Sequence, residues 1–209
     1  MEIIHLQQED VDDCGPTCIA MITKLSISHI KSDIKIYKRG TFVVQLASYL
    51  RHVGFTVVYY YFNPLFLRLC DEGKCNSEEL MNRLSKLKLI SSDQKNCYNY
   101  MIHYLKHRKE KIHILMVTIE TMKTVLDMGG VLLCLMTSNY LYTDEHSEFN
   151  YHYNIVVGYD EENFQIYDPL CNDDLFIPME KYMCGIYATT GKEMIDSGSV
   201  LAVYDLRRK

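Results

Sequence analysis

The sequence lacks several patterns that would assign a function directly. It has no Cys-x-x-Cys pair: Cys14 and Cys18 stand four residues apart and Cys70 and Cys75 five, so no zinc-binding spacing is present. It also has no P-loop and no other Gly-rich phosphate-binding motif. We therefore expect neither a metal centre nor a bound cofactor.

Long apolar runs and strong net charge are also missing. No segment approaches the roughly 18 apolar residues of a membrane-spanning helix, and the first residues lack the charged start and apolar run of a secretory signal. The net charge of -5 argues against general nucleic-acid binding, and the one basic cluster, 106–111, is interpreted as a solvated helix end or loop. Eight cysteines in such a chain are typical of reduced thiols, so we expect a cytoplasmic or nuclear protein.

The length and composition predict one folded domain. A chain of 209 residues, 48% of them apolar, can bury a sizeable core without disulfides, so we expect a single domain over 1–209. Helical patterns lie early and strand patterns late, which predicts an α+β fold with an antiparallel sheet. The mostly helical stretch at about 65–111 is interpreted as an insertion whose role the sequence does not give.

The patterns predict the following elements. Strands are expected over 55–61, 112–117, 131–136, 151–159, 164–168 and 199–204. Helices are expected from Cys14 onward, from a Thr41 cap to Gly54, across much of 65–111, over 120–128 and after Pro178.

The start of the first helix carries a candidate nucleophile, Cys14. Pro16 suits a first helical turn, and Gly15 removes a side chain where a group must come close to the sulfur. The unpaired amides and the positive end of the helix dipole favour a thiolate there. Two observations oppose this: most cysteines near helices are small buried hydrophobes, and the negative charges of Asp12 and Asp13 disfavour a second anion.

A candidate base and its orienting group lie much later in the chain. His152 opens one strand of a predicted hairpin and Asp168 ends the other, so an antiparallel pairing brings the two side chains to the same edge. A carboxylate against one imidazole nitrogen fixes the tautomer, and the other nitrogen can then take a proton from a thiol. Asn154, Asp173 and Asp174 are alternatives for the orienting role.

Gln8 is the candidate oxyanion donor. Its amide could donate a hydrogen bond to the oxygen that becomes charged when a thiolate attacks a carbonyl. Only its spacing of six residues before Cys14 favours it over the neighbouring Gln7.

Together these motifs resemble the papain-like peptidases of the bacteriocin-processing C39 type, which use a Gln, a Cys, a His and an Asp in this order. The resemblance rests on Gln8, the Asp-Cys-Gly-Pro-Thr-Cys run from Asp13, the segment 152–160 and Asp168-Pro169. The layout from about Ile4 to Tyr204 is also similar to the guanylyl-cyclase-domain-containing protein family. The resemblance implies a papain-like fold in which an N-terminal helical part carrying the cysteine packs on a C-terminal antiparallel sheet carrying the histidine and aspartate.

Three hypotheses for the function follow. The leading one is a thiol hydrolase acting on an amide or ester, with Cys14 as nucleophile, His152 as base and then acid, Asp168 orienting it and Gln8 stabilising the oxyanion. The second, implied by the narrower resemblance, is conversion of GTP to cyclic GMP, for which the acidic run over 9–13 could bind Mg²⁺. The third is a papain-like binding module without turnover. Neither a substrate nor an oligomeric state can be derived from the sequence.

Overall fold

The computed structural model of the chain describes residues 1–38, 40–65, 67–107, 112–141, 151–188 and 195–206. Most of the basic cluster, at 108–111, and most of the polar loop expected before the hairpin, at 142–150, lie outside the described residues.

Helices and strands alternate with loops along the described residues from Cys14 onward. The α-helices are α1 Cys14–Thr23, α2 Ile27–Asp33, α3 Val43–His52, α4 Ser77–Ser85, α5 Ser92–His107, α6 Ile119–Asp127 and α7 Met179–Ala188. The strands are β1 Thr56–Tyr61, β2 His113–Ile114, β3 Val131–Thr137, β4 Tyr151–Tyr159, β5 Asn163–Tyr167, β6 Leu175–Pro178 and β7 Ser199–Tyr204. Within these residues no helix is both long and apolar enough to cross a bilayer.

All described strands join one seven-stranded sheet in the order β2-β1-β7-β3-β4-β5-β6. Its pairings are antiparallel, as expected, except that β1 and β2 run parallel. The sequence analysis placed the sheet in the C-terminal half, but β1 comes from the first half and extends the same sheet. The last strand, β7, lies between β1 and β3 near the centre.

Helices cover both faces of this sheet. α1, α3, α4 and α5 build one core together with alternate sheet residues such as Tyr59, Leu133 and Ile155. α6 and α7 build the second core on the opposite face, against residues such as Leu132 and Val156. β3 is consequently buried at every position, which explains why it is a continuous apolar run instead of an alternating one.

Several local predictions were wrong. The helix expected to begin at a Thr41 cap has Phe42 as its N-cap, and its first backbone amide is satisfied instead by the Gln45 side chain, which accepts from the Phe42 N–H at 2.9 Å. The strand expected over 112–117 contains only two residues, His113 and Ile114. Two elements, α2 and β6, had no counterpart in the sequence analysis.

The segment expected to be an insertion contains a short 3₁₀ helix, Leu69–Asp71, followed by α4 and α5. Leu80, Leu84 and Met101 from these helices are fully buried in the first core. Arg83 joins the 3₁₀ helix to α4 through its ion pair with Asp71 at 2.6 Å. That this segment is an insertion stays a prediction.

Candidate active site

Cys14 is the first residue of α1, as the sequence predicted. The backbone N–H groups of the first helical turn have no intrahelical partner, so they and the helix dipole favour a negative charge at this position. The residue is 6% exposed, whereas Cys18, one turn further, is fully buried. Cys14 is therefore buried in the first core but, unlike Cys18, keeps a small exposed area.

The charge of Asp13, which the sequence analysis expected to oppose a thiolate, is neutralised. Asp13 is 1% exposed, and its carboxylate pairs with the Lys31 ammonium of α2 at 2.8 Å. Lys31 also contacts Asp10 at 3.1 Å. The hydrogen bonds to Asp13 and Asp10 raise the pKa of Lys31, so Lys31 stays positively charged beside Asp13.

Gly15 allows α1 to approach the sheet closely. A Cβ atom at this position would lie 2.2 Å from the Thr41 hydroxyl oxygen and 3.4 Å from the Tyr153 ring. The space beside the helix start is thus filled by the protein itself, and was not left open as the sequence analysis had expected. Since Tyr153 belongs to β4, this contact brings the Cys14 turn against the strand that carries His152.

His152 and Asp168 meet at the end of the β4–β5 hairpin. The imidazole Nε2 lies 2.8 Å from Asp168 Oδ1, and both residues are buried. The same carboxylate oxygen accepts the backbone N–H of Leu170 at 2.7 Å, which holds Asp168 in the turn after β5. The pairing predicted from the sequence is therefore present.

The charge on this imidazole depends on both neighbours. Burial acts to lower the pKa of His152, but the charge and hydrogen bond of Asp168, together with the hydrogen bond and charge of Cys14, outweigh burial and raise the pKa to about 10. Both neighbours therefore favour the protonated form of His152. Because Nε2 is engaged by Asp168, Nδ1 is the nitrogen left for a contact with Cys14.

Gln8 lies beside the Asp168 turn, but its amide is directed elsewhere. Its backbone N–H donates to the Pro169 carbonyl at 2.8 Å. The side-chain Nε2 donates to the carbonyls of Asp10 and Val11 at 2.9 and 3.3 Å. To stabilise an oxyanion, the amide must release at least one of these two carbonyls.

The alternative orienting residues contact other groups. The Asn154 Oδ1 accepts from the Tyr182 hydroxyl, and Asp174 accepts from Gln165 Nε2 at 2.7 Å. The backbone carbonyl of Asp173 accepts the Cys171 thiol at 3.3 Å. Among these candidates, Asp168 is the residue in hydrogen-bond contact with His152.

His5 is a site-proximal residue that sequence reasoning missed. Its Nε2 lies 3.0 Å from the Asp168 backbone carbonyl, its ring stacks on Tyr167 at 4.5 Å, and its Nδ1 lies 3.6 Å from Asp174. The N-terminal segment therefore fastens the turn that carries Asp168. No local pattern marks His5, because its partners lie more than 160 positions away along the chain.

No group of three or more His, Cys, Asp or Glu side chains among the described residues is arranged to hold a metal ion. The acidic residues before α1 are divided instead between Lys31 and solvent: Asp10 and Asp13 pair with it, and Glu9 is exposed.

Comparisons with known proteins identify the fold and the family. The crystal structure of a C39-like peptidase from Bacillus anthracis matches with a TM-score of 0.56 at 12% identity, covering 97% of this chain and 94% of that one. The peptidase domain of Streptococcus ComA, a bifunctional ABC transporter of a quorum-sensing pathway, matches with a TM-score of 0.49 at 12% identity, covering 97% and 98%. The first of these two matches shows that the fold is the α+β, papain-like arrangement of C39-like peptidases, as expected.

No curated protein matches the chain, and the narrower resemblance to the guanylyl-cyclase-domain-containing family finds no support in these comparisons. The model of the Peptidase C39 family matches residues 2–126, a span that includes Gln8 and Cys14 and ends before His152 and Asp168. Since that match covers more than half of the chain, the protein belongs to the Peptidase C39 family.

Proposed function

We propose that the protein is a cysteine hydrolase of the peptidase type, acting on an amide or ester through Cys14, His152 and Asp168. The observation that carries the proposal is that one buried imidazole interacts with both other groups: Nε2 lies 2.8 Å from Asp168, and Cys14 contributes to its raised pKa. Nucleophile, proton carrier and orienting group are thus in series, as covalent catalysis by a thiol requires.

The protonated ring of His152 determines how protons move during the reaction. A positive imidazolium beside the sulfur favours a thiolate, which attacks the carbonyl carbon directly. His152 then donates its proton to the leaving amine or alcohol, and as neutral imidazole it activates the water that releases the acyl group. His152 therefore acts first as an acid, whereas the sequence analysis had it acting first as a base.

The oxyanion has two candidate donors. The Cys14 backbone N–H, at the start of α1, is directed by the helix, and the Gln8 amide lies on the loop that precedes it. Losing one such donor typically lowers the rate roughly a hundred- to a thousand-fold. The role of Gln8 requires that its amide release the carbonyl of Asp10 or of Val11 when substrate binds.

The proposal is tested by labelling with a thiol-directed active-site probe such as iodoacetamide at limiting concentration. We expect rapid labelling of the unmodified chain, loss of that labelling in Cys14→Ala, and no loss in the controls Cys70→Ala and Cys184→Ala, which remove exposed thiols. A burst of p-nitrophenol from p-nitrophenyl acetate should likewise disappear only in Cys14→Ala. Rapid labelling that persists in Cys14→Ala contradicts the proposal.

The two other hypotheses remain predictions with their own assays. Production of cyclic GMP from GTP with Mg²⁺ or Mn²⁺ is the outcome that would support the cyclase implied by the narrower resemblance. A Cys14 alkylation rate no faster than that of a free thiol at neutral pH would favour the binding module. No contact among the described residues specifically favours either one.

A further inference from the structure

Two buried polar atoms next to the candidate active site have no hydrogen-bond partner in the protein. They are Oδ2 of Asp168 and Nδ2 of Asn154, on residues that are both fully buried. One is an acceptor and the other a donor. A buried polar group without a partner destabilises the fold, and a charged one more so, which favours a bridge between these two groups.

The strand register places these two residues opposite each other. Ile155 of β4 pairs with Tyr167 of β5. One residue further in each direction, Asn154 faces Asp168, and side chains opposite one another in an antiparallel pair have Cβ atoms about 4.5–5.5 Å apart. Because successive side chains alternate between faces, Asn154 also lies on the same side of β4 as His152.

Tyr182 of α7 fixes which way the Asn154 amide points. The Tyr182 hydroxyl donates to Asn154 Oδ1, so the NH₂ group is directed away from Tyr182. The opposite amide orientation would bring a carbonyl oxygen toward the Asp168 carboxylate, and two acceptors would then repel each other. The hydrogen bond and the electrostatics therefore select the same orientation.

We propose that Asn154 is a positioning residue, whose Nδ2 group is joined to Asp168 Oδ2 through one buried water and so holds the carboxylate that orients His152. The inference rests on the proposed function for its catalytic meaning. A water in such a polar site needs two or more hydrogen-bonding partners, and Asn154 and Asp168 supply two.

The contact completes the set of hydrogen bonds on the carboxylate. Oδ1 already receives His152 and the Leu170 N–H, and in this proposal Oδ2 accepts from the water that Asn154 holds. With donors on both oxygens, the carboxylate plane is fixed. The His152 ring is then held by a carboxylate that does not rotate.

The test is the titration of the His152 ring, followed by its nitrogen and carbon-bound proton signals in NMR, in a full-length Cys14→Ala background. This background removes one of the two groups that act on His152 and leaves Asp168 as the other. Asn154→Val removes the donor from a strand position that suits a β-branched residue. We expect the His152 pKa to fall by about one unit, because a carboxylate held on one oxygen only can turn away from the imidazole, and a weaker charge pair lowers the imidazole pKa.

Control variants separate the contact from general loosening of the core. Asn63→Leu removes another fully buried asparagine, one that binds Ile195 and Ser197, and should leave the His152 titration unchanged. Asn154→Ser keeps a hydrogen-bond donor, so the His152 pKa should fall by less than in Asn154→Val. Asn154→Leu replaces the valine variant if that variant does not fold. A His152 pKa in the folded valine or leucine variant equal to that of the parent overturns the inference.

The titration also separates this inference from the proposed function. Because Cys14→Ala cannot turn over substrate, the readout is independent of hydrolysis. If the unmodified chain hydrolyses nothing but the His152 pKa falls in Asn154→Val, the Asn154 contact stands and the enzyme proposal is wrong. If the unmodified chain hydrolyses substrate but the His152 pKa does not change, the enzyme proposal stands and the Asn154 contact is wrong.

Discussion

At the scale of single residues, the carboxylate of Asp168 determines the charge of His152. In Asp168→Asn the amide cannot balance an imidazolium, so we expect the pKa of His152 to fall from about 10 toward its ordinary 6.5 or below, since burial also lowers it. Turnover of p-nitrophenyl acetate should fall by about 10²- to 10⁴-fold, the range seen when an orienting carboxylate is lost.

The raised pKa of His152 also predicts how stability and turnover change with pH. Because the folded-state pKa is raised, the imidazolium and its stabilising pair with Asp168 are fully present below pH 6.5 and are lost as the pH rises through about 10. The acid step of turnover should show the same upper limit, and that limit should move to lower pH in Asp168→Asn. Asp173→Asn, an exposed carboxylate in the same turn, is the matched control and should leave the profile unaltered.

Residue chemistry at this site was predictable where residue type and local pattern agree. Cys14 was indicated by a helix start, and the His152–Asp168 pair by a hairpin with a short turn. The contributions of His5, Lys31 and Asn154 were not predictable in this way, because each acts through a partner that only the folded chain brings near. His5 lies three residues from Gln8 and Asn154 two residues from His152, but neither spacing identifies the partner. For Asn154, the strand register was needed to show which carboxylate it faces.

At the scale of elements, the pair between Lys31 and Asp13 connects α2 to the start of α1. Lys31→Met leaves a carboxylate that is 1% exposed without its counter-ion, so we expect a loss of about 1–3 kcal/mol in the free energy of unfolding and slower labelling of Cys14. Urea unfolding and probe labelling measure the two effects.

A second lysine provides the control for this variant. The side chains of Lys24 and Lys31 have the same exposure, 31%, but the partner of Lys24 is Glu2, which is 73% exposed. Lys24→Met should therefore change the free energy of unfolding by less than about 1 kcal/mol. Equal losses in the two variants would show that burial of Asp13 is not what makes its pair important.

A buried acid, Asp196, lies next to the first residues of α3. Burial raises the pKa of its carboxyl to about 6, although the Cys97 thiol and the amides of Val43 and Val44 lie near enough to lower it in part. Neither carboxyl oxygen makes a well-formed hydrogen bond. The folded chain therefore holds this proton more tightly than the unfolded chain, and stability is lost as the pH rises from 3.8 through about 6.

Asp196→Asn should remove that loss. We expect the free energy of unfolding to increase by about 1–3 kcal/mol at pH 7, with little or no increase at pH 4, because the amide cannot ionise. Urea unfolding at the two pH values measures the difference. Glu161→Gln, an exposed acid in the β4–β5 turn, is the control, and an equal gain there would contradict the explanation.

Elements were predictable when their own residues determined them, and were missed when a neighbour did. α1, β3, β7 and the β4–β5 hairpin have patterns strong enough to be read locally. α2 contains only seven residues and buries only Ile30, so its pattern is too short to detect. β6 forms by pairing with the free edge of β5. β2 is a strand only where His113 and Ile114 pair with Tyr60 and Tyr61.

At the scale of the whole molecule, buried tyrosines set the alkaline limit of the fold. Burial raises the pKa of Tyr59, Tyr61, Tyr153 and Tyr182 well above the ordinary value of 10. The unfolded chain loses these protons near pH 10 and the folded chain keeps them, so stability falls as the pH rises above 10.

The absorbance of tyrosinate at 295 nm should report this limit. The sequence has 17 tyrosines and no tryptophan. Exposed tyrosines should ionise near pH 10 with the fold intact, and a second rise in absorbance should coincide with loss of the circular dichroism signal. A single smooth titration, complete before the circular dichroism changes, would contradict the prediction.

The central position of β7 also governs the order in which the molecule can assemble. β7 joins β1 on one side to β3 on the other, yet it follows every other described strand along the chain. Before β7 is in place, no described strand connects β1 and β2 to the strands from β3 to β6. Cys14, whose helix packs on β4, is translated long before β7, so its surroundings are completed only when this strand joins the two parts of the sheet.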